Sequence, residues 1–268
     1  MKRLIYQVSL GDNNALYEWC IDSVKTYAKK IECDHIVQRE SILKILPDWK
    51  VSNRSRQSCE KHGCLPILEK HNALKYFPEE YDQILILDAD VFVKSSAPSI
   101  FEELMSDVVF GGVLESSMPI TEKYRKKILS YSKGQYASIA NEVSEWTYRV
   151  ETGYDFWNMG VMLLNRSFYE KHLMKDPFDV RSFLTQTRFK RFIDGEGNWK
   201  WSTDQTLLNW WIRKEQMKTM NLDWRWNALY KGIDDRQLPK AHFVHFFLSD
   251  HHVKHTDFRS LEKEIGMS

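Results

Sequence analysis

The sequence lacks any long apolar segment. No apolar run approaches the ~20 residues that a membrane-spanning helix needs, and Met1-Lys2-Arg3 leads into a short strand-like stretch with no cleavable signal pattern. We therefore expect a cytoplasmic protein with no transmembrane segment, and the sequence leaves peripheral attachment to a membrane open. Internal repeats, low-complexity tracts and linkers are also missing, which favours one domain over residues 1–268.

The sequence has few cysteines and a small net charge. The cysteines, Cys20, Cys33, Cys59 and Cys64, have the spacing of neither a disulfide scaffold nor a paired C-x-x-C zinc site, so free thiols are expected. The formal net charge is +1, which argues against the broad electropositive surface that nucleic-acid binding requires. Any nucleotide partner is therefore expected to be small.

Apolar and aromatic residues, by contrast, are abundant. Hydrophobic residues make up 43% of the chain, which is enough for a large core. Most of the 10 tryptophans are expected in that core. About one or two of them are expected to stack on the apolar face of a sugar ring, since ligand sites are lined by aromatic side chains.

Segments with strand and helix character alternate along the chain. Strands are predicted at 4–8, 35–37, 84–87, 108–113, 159–164 and 241–247, and helices at 16–27, at 66–77 and from 204 onward. Residues 118–150 are predicted to form helices or an ordered insertion beside the sheet. The alternation predicts a single α/β, Rossmann-like domain with a mostly parallel central sheet flanked by helices.

An acidic triplet, Asp88-Ala89-Asp90, follows the clearest predicted strand. The continuously apolar Ile84-Leu85-Ile86-Leu87 is typical of a parallel strand covered on both faces. Ligands of open α/β sheets gather beyond the carboxyl ends of such strands. Side chains two positions apart on extended backbone project to the same side, so Asp88 and Asp90 can converge on one Mg²⁺ or Mn²⁺ that also binds a pyrophosphate. A turn cap is the alternative, but an unpaired carboxylate near the interior is costly and a cation removes that cost.

Two histidines lie on the late predicted strand, in Ala241-His242-Phe243-Val244-His245-Phe246-Phe247. Residues three apart on a strand point to opposite faces, so His242 and His245 are not expected to chelate one ion together. One of them can still face the acidic pair. A third metal ligand and a hydrogen-bonded core histidine are both open interpretations.

Six blocks of residues follow one another in a specific order between positions 4 and 247. They are the first strand with Leu10-Gly11-Asp12-Asn13, Lys70 ahead of the acidic triplet, the triplet itself, Asn158-Met159-Gly160-Val161-Met162-Leu163-Leu164-Asn165, Asp204-Gln205, and His245-Phe246. This order resembles the GT-A-fold glycosyltransferases, in particular family 8, the group of glycogenin and bacterial galactosyltransferases. A GT-A-like domain is the fold that the resemblance implies.

The resemblance also implies roles for individual residues. Donor binding is implied for Leu10, Asp12, Asn13, Lys70, Asp88 and Ala89; metal binding for Asp88, Asp90 and His245; and catalytic sugar contacts for Asn158, Asp204 and Gln205. Structural alternatives are a solvated helix residue for Lys70, a turn former for Asn158, and a carboxylate stabilised by the helix dipole for Asp204. A nucleotide-binding half at about 1–115 and a sugar and acceptor half at about 150–250 follow from the same order of blocks.

One segment departs from the family pattern. Family 8 members follow the late histidine with a glycine and a lysine-proline-tryptophan segment, whereas this chain has Phe247-Leu248-Ser249-Asp250. Lys254 is the candidate substitute for the phosphate-binding lysine.

The function expected from these residues is a metal-dependent, hexosyltransferase-like glycosyltransferase. It would take a sugar from a nucleotide-sugar donor, with UDP as the expected nucleotide, and pass it to the hydroxyl of a saccharide or glycoconjugate with Mn²⁺ or Mg²⁺ bound. The charge that develops on the diphosphate leaving group calls for a cation, and Lys70 could add to its stabilisation. Inversion would need a base such as Asp155 or Asp204, while retention, which the resemblance suggests, needs no strong protein base.

Two other functions stay open at the level of sequence. A sugar-1-phosphate nucleotidyltransferase uses a similar sheet and metal chemistry, but Ser9-Leu10-Gly11-Asp12 lacks the glycine-rich, arginine-containing loop typical of that class. A noncatalytic carbohydrate-binding protein would account for the tryptophans, but it gives no reason for an acidic pair at the end of a buried strand.

Overall fold

The computed structural model describes residues 1–11, 14–48, 56–78, 80–173, 179–195, 204–247 and 257–267. Its strands are β1 (Arg3–Val8), β2 (Asp34–Gln38), β3 (Gln83–Leu87), β4 (Val91–Val93), β5 (Phe110–Leu114), β6 (Trp157–Asn165), β7 (Thr219–Asn221), β8 (Ala228–Leu229) and β9 (Phe243–His245). A six-stranded main sheet has the order β2-β1-β3-β6-β5-β7, and β4, β9 and β8 form a second, three-stranded sheet.

The α-helices are α1 (Ala15–Lys30), α2 (Arg56–His62), α3 (Pro66–Glu69), α4 (Glu122–Tyr136), α5 (Arg166–His172), α6 (Val180–Leu184), α7 (Thr187–Asp194), α8 (Asp204–Lys214) and α9 (Phe258–Glu264). The helix predicted over 66–77 is present in two parts, because the chain continues beyond α3 as a 3-10 helix at Lys70–Tyr76. The predicted insertion at 118–150 contains α4, whose first turn is capped by the Thr121 side chain.

Strand direction in the main sheet confirms the predicted mostly parallel α/β architecture. Strand β1 pairs in parallel with β2 and β3, and β5 pairs in parallel with β7. Strand β6 runs antiparallel to both of its neighbours, β3 and β5. Because of this reversal, the first residues of β6 lie at the edge of the sheet where β3 ends.

The main sheet separates two hydrophobic cores. Alternate residues of each strand enter opposite cores, so Tyr6 and Ile86 pack on one side while Ile5 and Leu85 pack on the other. Every residue of β3 and β6 is buried, as expected for the two central strands.

The cysteines and the helices are as expected from the sequence in the part of the chain that the structure describes. Cys20, Cys33, Cys59 and Cys64 are free thiols. Among the helices described, none is long and apolar enough to cross a bilayer.

Candidate active site

A cleft opens where the carboxyl ends of β1 and β3 meet. The two strands are in register up to Gln7 and Leu87, and the Gln7 side-chain amide donates to the backbone oxygen of Asp88 at 3.2 Å. The cleft has a volume of about 430 Å³, within the range of roughly 300–1,000 Å³ common for small-molecule sites. Its lining includes the predicted donor-binding residues Leu10, Lys70, Asp88 and Ala89. Asp12 and Asn13, also predicted to bind the donor, lie outside the described residues.

Asp88, Asp90 and His245 converge beside this cleft. One potential ligand atom from each of them lies within 4.8 Å of the others. The His245 Nε2 atom is 3.2 Å from Asp90 Oδ1 and 3.9 Å from Asp88 Oδ2. Two carboxylates and an imidazole form a donor set that suits Mn²⁺ or Mg²⁺, so the side chains present fit a divalent cation.

The small sheet brings the histidine to the acidic pair. Strand β9 runs antiparallel to β4 with His245 opposite Val91, and the Phe246 amide donates to the Asp90 backbone oxygen at 2.9 Å. The late strand is shorter than predicted, and His242 lies just before it. The His242 ring packs against Trp226, with 4.6 Å between centroids, so the two histidines have different surroundings. His245 is therefore the histidine that faces the acidic pair.

Charges in the group balance one another through short contacts. Burial raises the pKa of Asp88, although Lys70 opposes this by donating to Asp88 Oδ1 at 2.7 Å. Burial acts in the same direction on Asp90, but His245 outweighs it and holds the pKa of Asp90 below its usual value. Burial lowers the pKa of His245, but Asp90 raises it by more, so this pKa lies above its usual value. The acidic pair thus favours the protonated form of the imidazole, and a bound cation would take the place of that proton.

Lys70 links the acidic pair to the start of α8. Its ammonium lies 2.7 Å from Asp88 Oδ1 and 3.0 Å from Asp204 Oδ2, and it also donates to the Met159 backbone oxygen at 2.8 Å. Burial would lower the pKa of Lys70, but the two carboxylates outweigh it and raise this pKa. Lys70 is therefore a fixed buried cation at the cleft, whereas the structural alternative was a solvated helix residue.

Asp204 is almost fully buried as the first residue of α8. Lys70 approaches its carboxylate, and His71 Nε2 lies 3.3 Å from the same oxygen. Burial raises the pKa of Asp204, but Lys70 and the hydrogen bond from His71 outweigh it, so this pKa lies below its usual value. The carboxylate is therefore held in its ionised, hydrogen-bond-accepting form.

Gln205 and Asn158 lie next to this cluster. Gln205 accepts a long 3.4 Å contact from the Met159 amide and donates to the Tyr131 hydroxyl at 3.2 Å. Asn158 is the second residue of β6 and is buried. Its side-chain amide hydrogen-bonds to protein groups that include Glu115. Their roles as sugar contacts remain predictions.

Gly160 lets the imidazole approach β6 closely. A Cβ atom at this position would lie 2.2 Å from His245 Cε1, far inside van der Waals contact. Glycine is therefore required at position 160 for steric reasons, because any larger residue would displace the His245 ring.

Several residues at the site were missed by sequence reasoning. The cleft is also lined by Tyr17, Lys61 and His62, from α1 and α2. Asn227 and His71 contact His245 and Asp204, respectively. Nothing in the spacing of these residues distinguishes them, because their contacts arise only when distant elements pack together.

Asp155, the alternative candidate base, is held by polar contacts of its own. Asp155 accepts from the Ser116 hydroxyl at 2.6 Å and forms a 3.1 Å ion pair with Arg149. Lys254, the candidate for the phosphate-binding lysine, lies outside the described residues.

The fold and the convergent acidic pair and histidine define a GT-A glycosyltransferase. The chain belongs to glycosyl transferase family 8, whose family model matches residues 20–250. It is a glycosyltransferase that uses a nucleotide-sugar donor, which decides against the nucleotidyltransferase and binding-protein alternatives. No curated protein sequence matches the chain.

Solved structures share this fold at low sequence identity. A glycosyltransferase involved in the glycosylation of the major capsid of PBCV-1 is 12% identical, with a TM-score of 0.51 and 100% of both chains covered. Mouse xyloside xylosyltransferase 1 is 12% identical, with a TM-score of 0.50 over 93% of this chain and 99% of that one. The glycosyltransferase GlyE of Streptococcus pneumoniae TIGR4 is 15% identical, with a TM-score of 0.51 over 100% of this chain and 60% of that one.

Proposed function

We propose that this enzyme transfers a hexosyl unit from a UDP-sugar to the hydroxyl of a saccharide or glycoconjugate, with Mn²⁺ or Mg²⁺ bound by Asp88, Asp90 and His245. The observation that carries the proposal is the convergence of these three side chains beside a cleft at the carboxyl ends of β1 and β3. Ligands of open α/β sheets bind at this edge, where loops after the strands can reach them.

The donor nucleotide is assigned to the part of the cleft formed by the loop after β1. Leu10 and Ala89 line it, and Asp12 and Asn13 are assigned to it from the sequence resemblance alone. UDP is proposed on that same resemblance. The diphosphate is assigned to the end of the cleft that holds Asp88 and Lys70.

The chemistry asks the site to stabilise a diphosphate leaving group. A bound cation would act there as a Lewis acid that neutralises the developing negative charge. Lys70 supplies a second positive charge that needs no reorganisation, since its ammonium is already fixed by Asp88, Asp204 and a backbone carbonyl.

The sugar is assigned to the side of the site formed by α8 and the start of β6. Asp204 is held ionised and can accept hydrogen bonds from sugar hydroxyls. Gln205 and Asn158 are assigned to the same sugar. Gln205 contacts the Met159 backbone amide near the start of β6, and Asn158 is the neighbouring residue on that strand, which supports this assignment.

Neutralising either acid should abolish metal-dependent turnover. We expect Asp88→Asn and Asp90→Asn each to lower donor turnover at least about 100-fold, because each removes a carboxylate ligand and a negative charge from the cation site. The measurement is release of nucleoside diphosphate from a panel of nucleotide sugars, with Mn²⁺, with Mg²⁺ and with a chelator. Asp107→Asn is the matched control, because Asp107 is an exposed carboxylate paired with Lys218 on the surface.

The products also test the class of reaction. Release of nucleoside diphosphate that requires the metal and is lost in both variants supports the proposal. Pyrophosphate as the product, or full turnover in Asp88→Asn and Asp90→Asn, would refute it. Selective stabilisation by one donor in a thermal-shift panel would then identify the sugar and the base.

A further inference from the structure

A chain of buried polar side chains lies behind His245, on the side away from the acidic pair. The Nδ1 atom of His245 is 3.1 Å from Asn227 Oδ1, and the Asn227 amide donates to Asn158 Oδ1 at 3.0 Å. The Asn158 amide in turn donates to Glu115 Oε1 at 2.7 Å. All four residues are at most 3% exposed. The donor chemistry proposed above gives no role to Asn227 or Glu115.

A backbone group fixes the direction of every hydrogen bond in this chain. The Gly160 amide points at the Asn158 side-chain amide, 3.0 Å away, and a backbone N–H can only donate. The Asn158 atom facing it must therefore be the oxygen. This oxygen also faces Asn227, which must then present its NH₂ group to Asn158 and its oxygen to His245.

The hydrogen bonds at the Glu115 end of this series run in the same direction. Glu115 accepts from the Asn158 NH₂ group at one oxygen and from the Tyr124 hydroxyl at the other, 3.2 Å away. A carboxylate accepts at both oxygens, which agrees with the orientation imposed by Gly160. The orientation of the Asn158 amide is thus supported from both ends, and the orientation of Asn227 follows from it.

The consequence falls on the imidazole. Because Asn227 offers His245 only an oxygen, Nδ1 must carry a hydrogen, and Nε2 is the nitrogen that faces Asp88 and Asp90. We propose that Asn227 is a positioning residue that holds His245 in the Nδ1–H tautomer, so that Nε2 keeps the lone pair a divalent cation needs. This inference rests on the proposed function in taking His245 as a metal ligand.

The packing of the ring supports the same role. A Cβ at Gly160 would overlap the Cε1 and Nδ1 atoms of His245, so the ring lies flush against β6 on the side of Asn227. Asn227 directs the hydrogen of this ring, and β6 limits its movement.

The tautomer can be measured without metal or donor. In ¹⁵N-histidine-labelled protein at alkaline pH, where the imidazole is neutral, the nitrogen shifts of His245 should show Nδ1 protonated and Nε2 unprotonated in the wild type. Asn227→Leu, which removes the accepting oxygen, should lose this preference, and Asn227→Asp, which retains one, should keep it. An Nε2–H tautomer in the wild type would overturn the inference, even if the leucine variant does not fold.

Metal affinity provides the second measurement. With Mn²⁺ as the only ligand, Asn227→Leu should weaken binding on the order of 10- to 100-fold, as is usual when a partner of a ligating histidine is lost, and Asn227→Asp should restore most of it. Asn165→Leu is the matched control, because Asn165 is a buried amide bonded to the Met105 and Val108 carbonyls at the opposite end of β6. It should leave both Mn²⁺ affinity and the tautomer unchanged.

The two proposals can fail separately. If His245→Ala weakens Mn²⁺ binding but Asn227→Leu changes neither the affinity nor the tautomer, Asn227 has no positioning role and the metal site stands. If His245→Ala leaves Mn²⁺ affinity unchanged, the metal-ligand assignment itself is wrong and the inference about Asn227 falls with it.

Discussion

The proton on His245 competes directly with a metal ion. Asp90 lies 3.2 Å from Nε2 and raises the pKa of the imidazole above its usual value, despite the opposing effect of burial. A protonated Nε2 has no lone pair to donate, so a proton and a divalent cation exclude each other at this nitrogen. The same carboxylate that stabilises the proton would, with Asp88, bind the cation.

We therefore expect Mn²⁺ affinity to fall as the pH is lowered through the raised pKa of His245, approaching tenfold per pH unit below it. The sign follows because the metal binds the deprotonated form, and protons are released on binding. Calorimetric titration in buffers of different ionisation enthalpy measures the protons released, and His245→Gln is the control that should remove this component. A Mn²⁺ affinity that stays constant between about pH 8 and pH 6 would contradict the linkage.

The sequence predicted the side chains of the candidate site unevenly. Asp88 and Asp90 were identifiable because two acids at the end of a buried apolar strand have few structural explanations. The strand alternation showed that only one of His242 and His245 could face them, but choosing His245 required the family resemblance. Asn227 could not be found at all, because its contact with His245 depends on the packing of β8 and β9, which no local pattern encodes.

One buried carboxylate, Glu69, fixes the loop that follows β2 to helix α3. Glu69 is fully buried and accepts from the backbone amides of Ile42 at 2.8 Å, Leu43 at 3.0 Å and Lys44 at 2.7 Å. It also accepts from the Gln38 side chain at 2.8 Å. A short segment with no helix or strand of its own is thereby fixed to α3, one residue before Lys70.

Replacing this carboxylate with an amide should destabilise the fold. In Glu69→Gln one oxygen becomes an NH₂ group that faces a backbone N–H, so at least one buried donor loses its acceptor. The expected loss is about 1–3 kcal/mol in the free energy of unfolding. Urea denaturation measures it. Glu102→Gln is the comparison, since Glu102 pairs with Arg3 at the surface, where such pairs are worth roughly 0–1 kcal/mol; equal losses in both variants would contradict the argument.

The order of strands and helices was predictable to the extent that each element has its own pattern. The apolar runs that became β1, β3 and β6 were recognised because buried strands are short, continuous and rich in aliphatic residues. Their directions were not, because an apolar run reads the same way in either orientation. The antiparallel placement of β6, which brings Asn158 and Gly160 to the end of β3, therefore had to come from the structure.

Strand β6 joins the two halves of the chain in one sheet. Strand β6 lies between β3 and β5, and all of its nine residues are buried. The nucleotide-binding half predicted at about 1–115 contains β3 and β5 but not β6, and β4 in that half pairs with β9 near the end of the described chain. Each half thus lacks strands that the other supplies.

We accordingly expect the 268-residue chain to unfold in a single transition and the fragment 1–115 to remain unfolded on its own. Without β6 and β7, β5 has no neighbour, and β3 exposes an apolar edge that needs a partner. Near- and far-ultraviolet circular dichroism should show coincident thermal transitions for the full chain and no cooperative transition for the fragment. Mixing the fragment with residues 116–268 is the control, because restored ellipticity would show that pairing with β6 was what it lacked. A sharp transition in the isolated fragment would instead identify the first half as an independent domain.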